Sequence, residues 1–495
     1  MKPTEAPDPV TTKAAEKSGR AYTYRVSIIA ALGGLLFGYD TAIINGAIVF
    51  LKRQFALSDL QTEIAASSLL LGCVIGASLA GPLGDRLGRR RVLIVSAAIF
   101  TLSAVATALP RNLTELCLAR LCAGVAIGIT SLLSPLYIAE ASPPEIRGRL
   151  VSLNQLAIVS GILVSYLAGW LLADLGGESW RWMFASAVLP SFLFFLALFG
   201  VPESPRWLVK EGRDREAMAV LSRLSGAEDA ASRVDEIKAT IAAESGTFSE
   251  LLLPALRRLL IIGVTLAVLQ QVTGINTILY YGSIIFTEHA GAQSASSALW
   301  ANVLIGFINL VFTVVSLFVI DRMGRKSLLM IASGGMGLSL IALGFIFLLR
   351  PSSASLALFL ILCYVACFAV GMGPTVWVVL SELFPTKVRA RAMSVATISL
   401  WTACMVISLT FLSLVRAISA AGAFWLYIKN RSLLIPFGIA WFYIGLSPVQ
   451  SFVPVIDVIF EHRLYMPSIG FFMLFIVLYE SVFNWIDKRK AVAMA

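Results

Sequence analysis

The sequence predicts an all-α polytopic membrane protein built from two six-helix bundles. Three observations carry this: a 495-residue composition that is 58% hydrophobic and 14% charged, a succession of bilayer-length apolar runs, and charged signatures that recur in both halves. One soluble core could not hide so much apolar surface, so most of it faces lipid.

Residues 1–25 are polar, with Lys13, Lys17, Arg20 and Arg25, and lack an apolar stretch followed by a small-residue cleavage site. A cytoplasmic N-terminal tail is expected. Apolar runs at 26–51, 64–84, 92–110, 115–138, 151–174 and 182–201 make a first bundle over 26–201. Residues 202–255 change character: "VKEGRDREAMAVLSRL" and "ASRVDEIKATIAAE" mix both charge signs with spaced Leu, Val and Ile, predicting short amphipathic helices in a cytoplasmic linker. Apolar runs resume at 256–287, 298–320, 327–349, 354–381 and 391–418, five clear helices of a second bundle over 256–427. Residues 428–495 form an atypical C-terminal segment. Eleven crossings leave Lys429 outside, and "DKRK" at 487–490 should return inside, so of the one or two membrane segments expected here the run at 467–485 is the spanning one, and 433–456, interrupted by Pro436, Pro448 and Pro454, is expected to lie at the interface or re-enter.

A net charge of +10 would suggest a nucleic-acid partner in a soluble protein, but here Lys and Arg gather in short links where they orient membrane helices, so no nucleic acid is expected. The six cysteines lack metal-ligand spacing and the only histidines are His289 and His462, so neither a disulfide framework nor a metal or cofactor site is predicted.

The recurring signature is "GPLGDRLGRRR" against "VIDRMGRKS". Asp321, Arg322, Gly324, Arg325 and Lys326 repeat Asp85, Arg86, Gly88, Arg89 and Arg90 at an offset of 236 residues (321 − 85). A second mark follows each copy: Glu140 seven residues before Arg147, and Glu382 seven before Arg389, at an offset of 242 (382 − 140). Two marks in the same order identify duplicated halves, as in transporters whose bundles rock about a central site. Gly88 and Gly324 are expected to admit a neighbouring helix end, and the acids and arginines to form a network that holds the cytoplasmic face in one conformation.

The stretches "GGLLFGYDTAIINGA", "GDRLGRR", "SPLYIAEASPPEIRGRL", "PESPRWL", "QQVTGINTILYY", "DRMGRKSL" and "SELFPTKVRARAMS" resemble the sugar porters of the major facilitator superfamily over about residues 26–427. The resemblance implies a twelve-helix major facilitator fold, monosaccharide substrates, alternating access, and either proton symport or facilitated diffusion, in a monomer of the bacterial inner membrane. Asp40 is the only ionisable residue between Val26 and Leu51, and an unpaired carboxylate in hydrocarbon costs at least about 2.5–3.5 kcal/mol, so it needs a partner or a proton. Arg120 is the natural partner, and the matching positions pair in proton-coupled members. Burial favours a neutral acid and a nearby Arg the carboxylate, so moving the two apart or together can load and unload a proton. Passive facilitators carry an amide in place of Asp40, which favours proton-coupled symport over a passive sugar or polyol facilitator.

A dehydrated monosaccharide needs neutral donors, acceptors and a flat apolar face. Gln155, Gln270, Gln271, Asn276 and Asn309 supply amides within apolar helices and coincide with the family's polar sugar-binding positions. Trp377 and Trp401 match its flanking aromatics, and Tyr280 and Tyr281 are expected to close the outer side. Leu400 and Cys404 depart from the polar residues usual around Trp401, which leaves the sugar open. After "GAFWLY" the family's ending is replaced by a tail resembling a membrane fragment of tetratricopeptide-linked O-mannosyltransferases. A fused glycosyltransferase would need acidic residues in a sizeable loop after the first helix, whereas residues 52–63 read as a short link holding Asp59 and Glu63. A non-transporting sugar sensor would need a long signalling extension. Transport, not catalysis, is the expectation, with a monosaccharide, a proton and the lipid bilayer as partners.

Overall fold

The computed structural model describes residues 9–225, 230–243, 248–290, 294–349, 353–385 and 387–418. Every regular element among them is helical, and eleven helices are long and apolar enough to cross a membrane. They are α1 (Pro9–Gln54), α2 (Asp59–Leu87), α3 (Arg89–Ala108), α4 (Leu113–Ala141), α5 (Pro144–Leu171), α6 (Ser179–Gly200), α7 (Pro254–Glu288), α8 (Ala295–Met323), α9 (Arg325–Leu349), α10 (Ala354–Leu383) and α11 (Arg389–Ile418). The expected tail at 428–495, with its crossing at 467–485, lies outside the described residues. A second compact unit comprises residues 340–350 and 414–495, of which the ends of α9 and α11 are described.

Local chemistry sets the boundaries. A capping box opens α2, in which Ser58 Oγ accepts from the Gln61 amide at 3.3 Å and Gln61 Oε1 accepts from the Ser58 amide at 2.9 Å. Asn112 caps α4 through the Glu115 amide at 2.9 Å, and α5 opens on Pro144, whose missing N–H costs nothing there. Gly88 and Gly324 separate α2 from α3 and α8 from α9 with φ of +93° and +79°, a conformation L side chains rarely adopt. Only Gly88 also fits the expectation of close approach: a Cβ there would fall 2.4 Å from Glu203 Oε2, whereas nothing lies within 4 Å of one at Gly324. Gly324 is therefore needed for its backbone turn, not to admit a neighbour.

Two expected continuous runs are interrupted. In α7 the helix stops at Val272 and restarts at Ile275 across Gly274 (φ +85°), then widens into a π turn over Ile285–His289. A second π turn over Phe368–Met372 interrupts α10. Such breaks release carbonyls from the helical ladder, which must find other donors.

The first half packs through glycine. On the α2–α4 face, Cβ atoms at Gly72, Gly76, Gly124 and Gly128 would fall 2.2, 2.1, 1.9 and 2.3 Å from Leu121, Val125, Leu69 and Cys73 carbonyl oxygens. The same holds between α1 and α5, where Gly38 and Gly161 lie against the Ile158 and Leu35 carbonyls. Lipid offers no hydrophobic drive for helix association, so this close backbone approach is what joins the helices. The linker forms the expected short helices, Pro205–Lys210, Asp214–Ser225 and Ala230–Ala243, around a small core of Trp207, Leu208, Ala217, Leu221 and Val234. Thr23 Oγ1 donates to the Leu224 carbonyl at 2.8 Å, tying α1 to it.

Candidate functional site

Asp40 on α1 and Arg120 on α4 are both buried, 5% and 1% exposed. Arg120 Nε donates to the Ala65 carbonyl of α2 at 3.1 Å, and its guanidinium carbon lies 5.6 Å from the centroid of the Phe184 ring. The two charged groups lie within electrostatic reach of each other. They do not close an ion pair here: Asp40 Oδ2 and both terminal nitrogens of Arg120 have no hydrogen-bond partner among the described residues. The expected partners thus come within electrostatic reach while Arg120 is engaged by the Ala65 carbonyl and the Phe184 face instead of by Asp40.

Next to them lies a run of neutral polar groups. Cys73 is within electrostatic reach of Asp40, Arg120 and Cys404, and Tyr280 of Arg120 and Cys404. Tyr280 OH lies 3.9 Å from Cys404 Sγ, and Asn276 Nδ2 donates to Cys404 Sγ at 3.1 Å and to Gln271 Oε1 at 2.5 Å. Gln271 Nε2 donates to Gln270 Oε1 at 3.3 Å, and Gln270 Nε2 to the Met372 and Gly373 carbonyls at 2.9 and 3.1 Å. Those carbonyls sit at the π turn of α10, and Tyr364 of α10 in turn donates to the Thr273 carbonyl beside the α7 break at 2.8 Å. The two interruptions thus satisfy one another and fix the amides. Trp401 meets Phe37, one turn before Asp40, edge-on at 5.3 Å. Tyr281 donates to the Ser408 carbonyl at 2.8 Å and stacks on Phe411.

The remaining candidates stand outside this network. Asn309 is buried, Gln155 and Trp377 are half-buried, and among the described residues none of them makes a hydrogen bond. Cys404, which looked like a lost hydrogen-bonding position, is a member, accepting weakly through sulfur.

At the end carrying the repeated signatures, Arg89 holds Glu140 with two bonds, Nε to Oε2 at 3.0 Å and Nη2 to Oε1 at 3.2 Å, and also meets Asp85 at 3.1 Å. Glu140 further accepts from Ser204 Oγ, and Lys210 reaches Asp85 at 2.9 Å. The Arg90 amide donates to Glu203, and its guanidinium to the Leu198 and Phe199 carbonyls. In the second half Arg325 reaches Glu382 at 3.1 Å. Arg147 and Arg389 repeat as geometry too, each donating to the carbonyl five residues back, Ser142 and Phe384. Glu140 thus pairs with Arg89, not with Arg147. Both acid–arginine pairs close within their own half, so in this conformation they brace each half and do not bridge the two. Arg86 and Arg322 are exposed, and the Asp321 side chain lies outside the described residues.

The opposite end carries bonds between the halves. Asn45 of α1 donates to the Leu279 carbonyl at 2.8 Å and accepts from the Ser283 amide at 2.8 Å; Tyr166 of α5 also donates to Leu279 at 2.8 Å. Lys52 lies between Glu288 at 2.7 Å and Asp59 at 3.3 Å. Glu63 of α2 accepts from the Ser413 amide at 2.7 Å and from Ser413 Oγ at 2.6 Å.

A family model described as "Sugar (and other) transporter" matches residues 26–445. The chain belongs to this sugar transporter family. The arabinose-proton symporter of Bacillus subtilis is 40% identical over 409 residues, covering 81% of this chain and 88% of that protein. The glucose transport protein of Synechocystis is 39% identical over 443 residues, covering 85% and 94%. Among solved structures, the xylose transporter XylE from E. coli in a partially occluded inward open conformation superposes with a TM-score of 0.73 at 35% identity, covering 82% of this chain and 94% of that one. The fold is the major facilitator fold that the resemblance implied.

Three features of this sugar transporter escaped sequence reasoning. Glu203 and Ser204 stood within the "PESPRWL" stretch but were not recognised as partners of Arg90 and Glu140. Asn45 stands within the "GGLLFGYDTAIINGA" stretch with no mark in the sequence of its bonds to α7. Asp59 and Glu63 were placed in a link spanning 52–63, whereas α2 already starts at Asp59 and Glu63 is a fully buried helix residue. The Ser58/Gln61 capping spacing was legible and would have moved that boundary.

Proposed function

We propose that this chain is a secondary active transporter that carries a monosaccharide, a pentose or hexose, together with a proton by alternating access. The observation that carries the reading is Asp40 and Arg120, both buried and within electrostatic reach without closing a pair, beside a run of amides and hydroxyls suited to an uncharged polyhydroxy ligand. A static ion pair would be closed, and a passive carrier has no need of a titratable group there. The relatives named for arabinose-proton symport and glucose transport support the same class and leave the sugar open.

In this reading Asp40 carries the proton and Arg120 is its counter-charge. Gln270, Gln271, Asn276 and Tyr280 bind sugar hydroxyls, with Gln155, Asn309, Trp377, Trp401 and Tyr281 completing the lining when the halves move. The basic links at 84–91 and 322–326 face the cytoplasm by the positive-inside rule, which places the N-terminal tail inside a bacterial plasma membrane. The bonds of Asn45, Lys52 and Glu63 then lie at the outer end, so the conformation is read as closed to the outside. The bundles span 26–201 and 256–427, with 202–255 as the cytoplasmic linker, and the unit of transport is a monomer.

The test is Asp40→Asn, which mimics the protonated acid. In one vesicle preparation the variant should exchange labelled for unlabelled sugar but fail to concentrate it with a proton gradient, since only a titrating group links the gradient to the cycle. A variant that still accumulates sugar removes Asp40 from the mechanism; a wild type that never does so makes the chain a facilitator.

A further inference from the structure

Glu63 is a fully buried carboxylate that the transport mechanism above does not use. Its two oxygens are each engaged from α11, one by the Ser413 amide at 2.7 Å and one by Ser413 Oγ at 2.6 Å, so a group from the first half grips the second at two points. Charge-assisted bonds of this length are the strong class. Two residues further along α2, the Ala65 carbonyl holds Arg120 Nε at 3.1 Å. One turn before Glu63, Asp59 shares Lys52 with Glu288 of α7. A single stretch of α2, residues 59–65, therefore touches two of the junctions between the halves at this end, the bonds of Asn45 and Tyr166 to α7 being another, and the guanidinium of the proposed proton-coupling pair.

We infer that Glu63 is the latch of the outer gate: its grip on α11 holds the outside closed, and releasing it frees α2 to shift the carbonyl that positions Arg120. The inference rests on the orientation and transport class proposed above. Glu63 is a positioning residue here, touching neither sugar nor Asp40. The Lys52 bridge to Glu288 is a second clasp, carried by different side chains.

The test is hydrogen exchange by mass spectrometry on the full chain in lipid nanodiscs. Amides at the outer ends of α2 and α11, residues 59–66 and 408–413, are compared with the inner stretches 84–91 and 322–328. Glu63→Ala should accelerate outer exchange about tenfold, equivalent to about 1.4 kcal/mol of lost closure, and leave the inner stretches at wild-type rates. Glu63→Gln, which keeps shape and one acceptor, should fall between, and Ser413→Ala should reproduce part of the effect without adding to Glu63→Ala. Lys52→Gln should add independently, because it opens the other clasp. Outer exchange unchanged in Glu63→Ala, or accelerated equally at both ends as in general loosening, overturns the latch. Sugar binding is measured on the same samples: a wild type that binds no pentose or hexose tells against the transport reading, while the exchange comparison still decides the latch by its end selectivity.

Discussion

Gly124→Ala should disconnect proton coupling without touching either coupling residue. A Cβ at Gly124 would sit 1.9 Å from the Leu69 carbonyl oxygen and 3.0 Å from Gly72 Cα, both backbone atoms that cannot swing aside. The helices α2 and α4 must then part by about 1 Å at that rung, an overpacking strain of about 1–3 kcal/mol. The next rung, four residues earlier on each helix, is Arg120 Nε to the Ala65 carbonyl at 3.1 Å. The same displacement stretches it to about 4 Å, beyond hydrogen-bond range, and forfeits a charged-donor bond of about 1.5–3 kcal/mol. Freed from Ala65, the guanidinium turns to the nearest anion, Asp40, and a closed pair resists protonation. Gradient-driven accumulation in vesicles should fall about tenfold or more while sugar-for-sugar exchange persists. Gly81→Ala on α2 is the control, since nothing lies within 4 Å of a Cβ there. If Gly124→Ala accumulates sugar as well as Gly81→Ala does, glycine-set spacing is not what holds Arg120 away from Asp40.

Three further outcomes are expected. Arg89→Ala takes two charge-assisted bonds from Glu140, which is 4% exposed at its side chain and keeps Ser204 and a longer contact to Arg206, and should lower thermal stability by about 1.5–3 kcal/mol while leaving sugar affinity within twofold; an equal loss of affinity would merge brace and site. Gln271→Ala and Asn276→Ala should each weaken sugar binding by about 1–3 kcal/mol in titration calorimetry, and the double variant by less than their sum, because the two amides bond each other at 2.5 Å; full additivity contradicts that shared role. Gly324→Ala should cost about 1–2 kcal/mol of backbone strain in thermal unfolding, and Gly88→Ala more, since its methyl also meets Glu203; equal losses would show that the Glu203 approach is relaxed in solution.

Much of the fold was legible because membrane helices announce themselves by length. The eleven apolar runs became eleven long helices whose ends mostly lie close to the expected ones, although α1 reaches back to Pro9 through the polar stretch expected as a tail and α5 already starts at Pro144; duplicated charges became duplicated geometry, Arg89–Glu140 beside Arg325–Glu382. The interruptions were not legible as such: "VTGIN" lies inside one apolar run, and hydropathy is blind to whether Gly274 turns the backbone to φ +85°. Asp40, Arg120 and the amides could be named from their rarity in apolar surroundings. That Arg120 would bond Ala65 could not, because a backbone carbonyl has no sequence signature. Glu63 was missed for a related reason: near a helix end a carboxylate normally meets solvent, and only the tertiary approach of α11 buries it.

The network also bears on how selective such a site can be. Asn276, Gln271 and Gln270 already bond one another and the carbonyls freed by the π turn, so at the proposed sugar site an entering hydroxyl would replace bonds instead of adding them. Exchange of that kind yields modest affinity, since each new bond is offset by one broken. Discrimination does not suffer in the same way. A sugar lacking the hydroxyl that should replace Gln271 at Asn276 leaves a desolvated amide unmatched, and that penalty is not offset. Cys404 sharpens the point, because its sulfur gives up Asn276 more readily than an oxygen would. The position where this chain departs from a strongly polar side chain is therefore the one through which Asn276 is most easily won by substrate. Replacing Cys404 with Ser should strengthen the resident bond and weaken sugar binding, with the largest loss for the sugar whose hydroxyl contacts Asn276.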